Sequence, residues 1–338
     1  MKDKIKPTVL PLPTPDELLA EAAISAEIIE AVNKQRKAIS RILSGEDKRR
    51  LAIIGPCSLD ETNAALQFWQ ELEPISNEVA DKVMTIVRAP VAKPRTIGGW
   101  RGLEQDSVLL ARRQLMDLAT AGAPIAIELL EPYHTAFYGD ILCLGWIGAR
   151  TVATQNLRLE ASRNGMLPML FKNGIDGSVK IAAEARAAAA ASHMNVPYMN
   201  DDGRLYIDPL TPGNSATITA LRGGEQNGQV VSNITPEAVS QAAELSREFA
   251  LNNPGVIIDV SHANGAAETE GEKTVEGQKK AFQKYLQLAR SDKDKLVRGI
   301  MIEALLREGT GTDYGMSRTD PTVDIETAKT MLMELYRI

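Results

Sequence analysis

Cysteine, histidine and aromatic residues are all scarce in this chain of 338 residues, which holds two Cys, three His and 4% Phe, Trp and Tyr. Two thiols rule out a disulfide framework and point to a reducing compartment, the cytoplasm. No run approaches 18 consecutive apolar residues, so no membrane-spanning helix is expected. The start, Met1-Lys2-Asp3-Lys4-Ile5-Lys6-Pro7, is not followed by a secretory apolar stretch. There is no excess of positive charge. The net charge of −6 argues against nucleic acid or an acidic membrane surface as the main partner. Low-complexity linkers are absent, and no Gly-x-Gly-x-x-Gly turn follows the first apolar run, which disfavours an open dinucleotide-binding sheet.

What is present is a regular alternation. A hydrophobic content of 44%, rich in Ala, Leu and Ile, suits an α/β core. Short apolar runs mark strands near Arg50–Pro56, Val83–Arg88, Ile125–Leu130, Trp146–Arg150, Pro168–Lys172, Thr217–Arg222, Gly255–Ser261 and Gly299–Ala304. Helical patterns lie between them, as at Ser107–Ala121, Ser178–Ala190, Pro236–Leu251 and Thr274–Ala289, and a last helix falls near Ile325–Tyr336. Eight such units predict a closed (β/α)8 TIM barrel over residues 49–338. Asn200-Asp201-Asp202-Gly203, flanked by β-type residues between Val196 and Pro212, predicts an inserted β-hairpin. Residues 1–48 lie outside the barrel count as an N-terminal helical extension. Thr14-Pro15-Asp16-Glu17 opens one helix and Ala38–Leu43 forms a second, short one.

The reactive side chains fall at the C-terminal ends of these strands, the face on which barrel active sites are built. Cys57, Arg88, Arg150, Lys172 and Arg222 end strands, His262 follows the seventh, Glu303 lies near the end of the eighth and Asp320 on the loop after it; Glu128 lies in the third. Cys57, His262, Glu303 and Asp320 form a mixed sulfur, nitrogen and oxygen set. Such a set suits one divalent transition ion, Mn, Fe, Co or Zn, better than Mg or Ca. Arg88, Lys93, Arg95, Arg150, Lys172 and Arg222 are too many cations for a metal site. They suit phosphate and carboxylate groups, as two phosphorylated substrates would present. Each residue also has a plainer reading: Cys57 as packing, His262 as a hydrogen-bonded structural imidazole, Glu303 as an ion-pair partner, Asp320 as a helix cap. Cys143 reads as core, and His134 and His193 are given no role.

The motifs in order are Arg36-Lys37-Ala38-Ile39, Ile53–Ser58, Lys93–Thr96 with Gly99-Trp100, Ile147–Thr151, Phe171–Gly174, Leu221–Gly224, Asp259–Asn264, Met301–Glu303, Tyr314-Gly315 and Ser317–Asp320. In this the chain resembles the class I, microbial-type 3-deoxy-D-arabino-heptulosonate 7-phosphate (DAHP) synthases, from about Arg36 to the C-terminus. The resemblance implies a metal-dependent condensation of phosphoenolpyruvate with erythrose 4-phosphate, the first step toward the aromatic amino acids. It implies Cys57, His262, Glu303 and Asp320 as metal ligands. Arg88, Lys93, Arg150, Lys172 and Arg222 would hold phosphoenolpyruvate, and Arg95 and Thr96 the aldose phosphate. Glu128 would sit near the water that reaches C2, and Lys93, Glu128, Lys172 and His262 form the expected catalytic group.

The chain departs from that family at Leu59-Asp60-Glu61, at Gln155-Asn156-Leu157-Arg158-Leu159, and in shorter loops after Leu103 and between Glu308 and Tyr314. These positions surround the acceptor side. Two other functions therefore stay open: condensation of phosphoenolpyruvate with a different aldose phosphate, and a non-catalytic regulatory subunit. In the extension, Leu18, Leu19, Ile28, Ile29 and Val32 give a helical face that needs a partner, either the barrel itself or a second copy in a homodimer or homotetramer.

Overall fold

The computed structural model describes residues 12–91 and 105–338. The barrel strands are β1 (Arg50–Gly55), β2 (Val83–Arg88), β3 (Ile125–Glu128), β4 (Leu144–Ile147), β5 (Met169–Lys172), β8 (Thr217–Leu221), β11 (Val256–Asp259) and β12 (Val297–Glu303). Two ribbons interrupt them: β6 (Met194–Met199) with β7 (Leu205–Leu210), and β9 (Gly224–Gln226) with β10 (Gln229–Val231). The eight barrel strands close in the order β1-β12-β11-β8-β5-β4-β3-β2, every pair parallel. This is the expected (β/α)8 barrel.

Both faces of each strand are buried, so the strands read as nearly continuous apolar runs. Alternate residues divide between two environments. Leu51, Ile53, Ile86, Ala126, Leu144, Trp146, Leu170, Ile218, Ala220, Ile257 and Met301 fill the lumen as one cluster. Their neighbours Ala52, Ile54, Val87, Ile125, Ile127, Phe171, Ile258, Ile300 and Ile302 pack outward among the helices.

The N-terminal extension differs from expectation. Its second helix runs Ala26–Ser44, with Ser25 accepting the Ile28 N–H at the start and Gly45 in a left-handed conformation (φ +81°) at the end. The predicted Ala38–Leu43 is only its last third. That third carries Ile39, Ile42 and Leu43, which join the lumen cluster and close the N-terminal end of the barrel. Arg36 anchors the helix by donating Nε to Leu142 O at 2.8 Å and Nη2 to Gly139 O. Of the apolar positions singled out earlier, Leu18 and Val32 are buried within the chain, whereas Ile29 is exposed.

The predicted hairpin is the β6–β7 ribbon. Gly203 (φ +76°) closes its turn, and Asp16 N–H donates to Asp201 O at 2.8 Å, tying it to the first helix. One strand boundary needs correction. β4 ends at Ile147, so Arg150 stands three residues beyond the strand, on an exposed turn.

Candidate active site

The lumen register continues upward into charge. Counting two residues on from an inward apolar side chain, Ile86 leads to Arg88, Ala126 to Glu128, Leu170 to Lys172, Ala220 to Arg222, Ile257 to Asp259 and Met301 to Glu303. A period of two keeps all six pointing inward at the C-terminal end. Trp146 leads to Gly148. A Cβ there would collide with Glu128 Oε1, so the glycine leaves the space that the Glu128 carboxylate occupies.

These ends surround a cavity of about 790 Å3 lined by Cys57, Glu128, Arg150, Lys172, Arg222, His262 and Asp320, among others. Seven of the residues read from the sequence thus meet in one mouth. Arg88 and Glu303 do not line it. Both are fully buried and paired, Arg88 Nη2 to Glu303 Oε1 at 2.8 Å, while Arg88 Nε donates to Pro56 O at 3.0 Å. The Arg88 guanidinium also lies 5.4 Å from the Trp146 ring centre. Lys93, Arg95 and Thr96, with Gly99 and Trp100, lie outside the described residues.

One ligand atom each from Cys57, Glu303 and Asp320 lies within 4.8 Å of the other two. His262 stands at the edge of this group, with Nε2 3.7 Å from Glu303 Oε1. The donor set fits a divalent ion. Glu303 is 1% exposed, and among the described residues neither of its oxygens accepts a well-directed hydrogen bond; Oε1 is approached by Arg88 and, farther off, by His262. A buried carboxylate of this kind is costly unless a cation completes it. Burial pushes the Glu303 carboxyl up, but Arg88 and His262 outweigh it and hold the group below the usual carboxylate range. Burial lowers the His262 imidazole despite the neighbouring Asp259, which keeps it neutral near pH 7, the form that ligates metal.

The anion side is set by burial against one carboxylate. Lys172 Nζ sits 2.7 Å from Asp259 Oδ2. Burial lowers the lysine, and Asp259 partly restores it. Arg222 is positioned through its backbone. Asn173 Oδ1 accepts the Arg222 N–H at 2.7 Å, and Asn173 Nδ2 donates to Gly223 O at 2.9 Å. Asn233 and Asn264 complete the network, with Asn264 Nδ2 donating to Leu221 O and Asp259 O. Buried and satisfied amides of this sort hold the ends of β5, β8 and β11 in one arrangement. Gln278 does the same for β12: its Oε1 accepts from Glu303 N at 2.8 Å and from Ser261 Oγ, and its Nε2 donates to Glu303 O at 2.9 Å.

Several site residues escaped the sequence reading. Asp259 opens the Asp259–Asn264 motif, and the inward parity of Ile257 marks it as a lumen residue. Lys273 Nζ pairs with Asp320 Oδ2 at 2.7 Å, and Arg318 Nη2 with Glu61 Oε1 at 2.7 Å; both cations line the mouth. They come from loops, where no periodicity marks them. The β9–β10 ribbon places Glu225 and Val230 on the mouth wall, and its signal was the Asn227-Gly228 pair, both with positive φ. Asp320 is not a helix cap; Asp324 caps the last helix by accepting the Thr327 N–H at 2.8 Å.

Fold and site together describe a (β/α)8 barrel whose mouth combines an anion-binding wall with a thiol–carboxylate group suited to a divalent ion. The chain belongs to the DAHP synthetase I family, which it matches over residues 25–335. It is 35% identical over 343 residues to the Trp-sensitive phospho-2-dehydro-3-deoxyheptonate aldolase of Buchnera aphidicola subsp. Schizaphis graminum (strain Sg), covering 96% of this chain and 94% of that protein. A phospho-2-dehydro-3-deoxyheptonate aldolase of Corynebacterium glutamicum is 32% identical over 349 residues, covering 96% and 90%. The solved structure of the phospho-2-dehydro-3-deoxyheptonate aldolase from Francisella tularensis SCHU S4 superposes with a TM-score of 0.87 at 28% identity, over 99% of this chain and 98% of that one.

Proposed function

We propose that this protein condenses phosphoenolpyruvate with erythrose 4-phosphate to give DAHP and phosphate, the entry step of aromatic biosynthesis. The observation that carries the reading is the shared mouth, where Lys172, Arg150 and Arg222 face one cavity together with Glu128, Cys57, His262 and Asp320. Arg222 and Arg150 supply forked donors to phosphate and carboxylate, and Lys172 supplies a point charge. By the family resemblance Lys93 would bind on the donor side, and Arg95 and Thr96 would bind the acceptor phosphate. Arg88 holds Glu303 anionic through Nη2, and its Nη1, which has no hydrogen-bond partner among the described residues, is left to phosphoenolpyruvate.

Cys57, His262, Glu303 and Asp320 would hold a divalent ion, which supplies Lewis-acid polarisation of the aldehyde oxygen when bound. The cations align C3 of phosphoenolpyruvate with the aldehyde carbon, so that the C–C bond forms between fixed partners. Water oriented by Glu128 adds at C2, and the C–O bond to phosphate breaks, with the phosphate leaving into the cation wall. The altered positions around Leu59 and Gln155 and the extra cations Lys273 and Arg318 bear on the acceptor, and a different aldose phosphate is the second reading. Self-association is supported by the exposed Met194, Leu205, Ile207 and Leu210 of the β6–β7 ribbon.

Phosphate release from phosphoenolpyruvate with added Mn2+ tests the reading, comparing erythrose 4-phosphate with other aldose phosphates. Turnover with erythrose 4-phosphate that a chelator abolishes is expected. Turnover only with another acceptor overturns the substrate assignment, and no turnover with any acceptor overturns the enzymatic one.

A further inference from the structure

Asp259 is a lumen carboxylate that touches both His262, on the metal side of the site, and Lys172, on the anion side. It ends β11, is fully buried, and its Oδ2 lies 2.7 Å from Lys172 Nζ and 3.0 Å from His262 Nδ1. Its other oxygen accepts the Ser261 N–H at 3.0 Å, and its backbone carbonyl accepts from Asn264 Nδ2 at 2.8 Å, so the side chain is held from several directions. The chain makes an unusual turn to bring His262 back to it. His262 has φ +53°, a left-handed conformation that a residue with a Cβ rarely adopts. Such strain persists where surrounding contacts enforce it, and here it folds the imidazole over the carboxylate three residues earlier. The Nδ1 approach is oblique rather than a well-directed hydrogen bond. The 3.0 Å approach of Nδ1 to Oδ2, imposed by the backbone turn, links the pair.

We infer that Asp259 is a positioning residue that couples the metal side of the mouth to the anion side. On one side it presents His262 with Nε2 turned toward Glu303. A carboxylate behind a ligating imidazole fixes the tautomer and ring orientation and raises ligand basicity. On the other side it anchors the Lys172 ammonium, fixing where a substrate anion meets it. A single buried anion shared by His262 and Lys172 sets both placements, each through its own contact. The inference rests on the proposal that His262 ligates the ion and Lys172 binds phosphoenolpyruvate.

The test uses the full chain and two binding readouts that need no turnover. These are Mn2+ affinity, from the electron paramagnetic resonance signal of free Mn2+, and phosphoenolpyruvate affinity by calorimetry. Asp259→Asn should weaken Mn2+ binding by about 10- to 100-fold, the usual effect of losing an outer partner of a metal ligand, and should weaken phosphoenolpyruvate binding as well. Unchanged affinity for either ligand overturns the coupling. Should Asp259→Asn fail to fold with Lys172 left unpaired, Lys172→Met and the double variant Lys172→Met/Asp259→Asn replace it, because the double variant buries no lone charge. Lys172→Met should keep Mn2+ affinity, and the double variant should lose it; equal Mn2+ affinity in the two overturns the inference. A wild-type chain that binds no Mn2+ overturns the functional proposal itself, a result separate from any difference among variants.

Discussion

At its N-terminal end the barrel lumen is closed by Ile39, Ile42 and Leu43 packed on Leu51, Ile86 and Ile218. At its C-terminal end, one or two steps along the same strands, the lumen holds Arg88, Lys172, Asp259 and Glu303, all buried. Both ends use the same parallel register and the same inward parity. The lower end is stabilised by removal of apolar surface from water, which is non-directional and tolerant of shape. The upper end contains charges that are costly unless each meets its partner, so it is stable only in one arrangement. A barrel can thus carry reactive groups at one end because the other end supplies the stability.

The comparison breaks most completely at Cys57. Cys57→Ala should abolish Mn2+ binding and lower turnover by roughly 10³-fold or more, the loss expected when several kcal/mol of Lewis-acid stabilisation is removed. Circular dichroism and the unfolding midpoint should stay near wild type, and full turnover without bound metal would contradict the site. Ile42→Ala is the converse change. It should cost about 2–5 kcal/mol in urea unfolding as a cavity opens at the closed end, while kcat measured on the folded fraction stays unchanged.

Arg88→Met crosses the boundary between the two ends. It leaves Glu303 buried without its cation, a loss of about 3–5 kcal/mol. Mn2+ at 100 times its Kd should return about 2.7 kcal/mol by binding only the folded state. Denaturation with and without Mn2+ measures both, and a variant whose stability ignores Mn2+ would separate Glu303 from the ion.

A smaller effect is expected at His134, on the helix after β3. It is buried, with Nδ1 accepting the Leu130 N–H at 3.4 Å, and burial lowers its pKa to about 4. The unfolded state takes the proton near pH 6.5 and the folded state only near 4. Stability contributed by the neutral ring is therefore complete above pH 6.5 and is lost as pH falls toward 4, by about 3 kcal/mol. The difference in unfolding free energy between wild type and His134→Phe, followed from pH 7 to 4, should show this slope. A flat difference would mean that the ring titrates alike in the folded and unfolded chain.

Much of the site was legible because strands have a period of two. Arg88, Glu128, Lys172, Arg222 and Glu303 each stand at or next to the end of an apolar run, and parallel strands bring such ends to one face. Asp259 follows the same rule, but the apolar pattern runs on through Val260, so the strand end that Asp259 occupies is not marked in the sequence. Arg150 illustrates the limit: it reaches the mouth from a turn beyond β4, and its apparent strand position was off by three residues. The helix Ala26–Ser44 extends well beyond the predicted Ala38–Leu43; its last third packs into the lumen, a partner that no local pattern names.

Composition, periodicity and motif order by themselves determined the eight-fold βα alternation, the hairpin at 200–203 and which charged residues end strands, because these depend on spacing along the chain. Only the tertiary structure decided how those charges pair. Arg88 turns to Glu303, Asp259 is shared by Lys172 and His262, and Lys273 meets Asp320 across 47 residues. Partner choice in a buried polar site depends on distances between strand ends and loops that are remote in sequence. Those distances exist only once the barrel has closed.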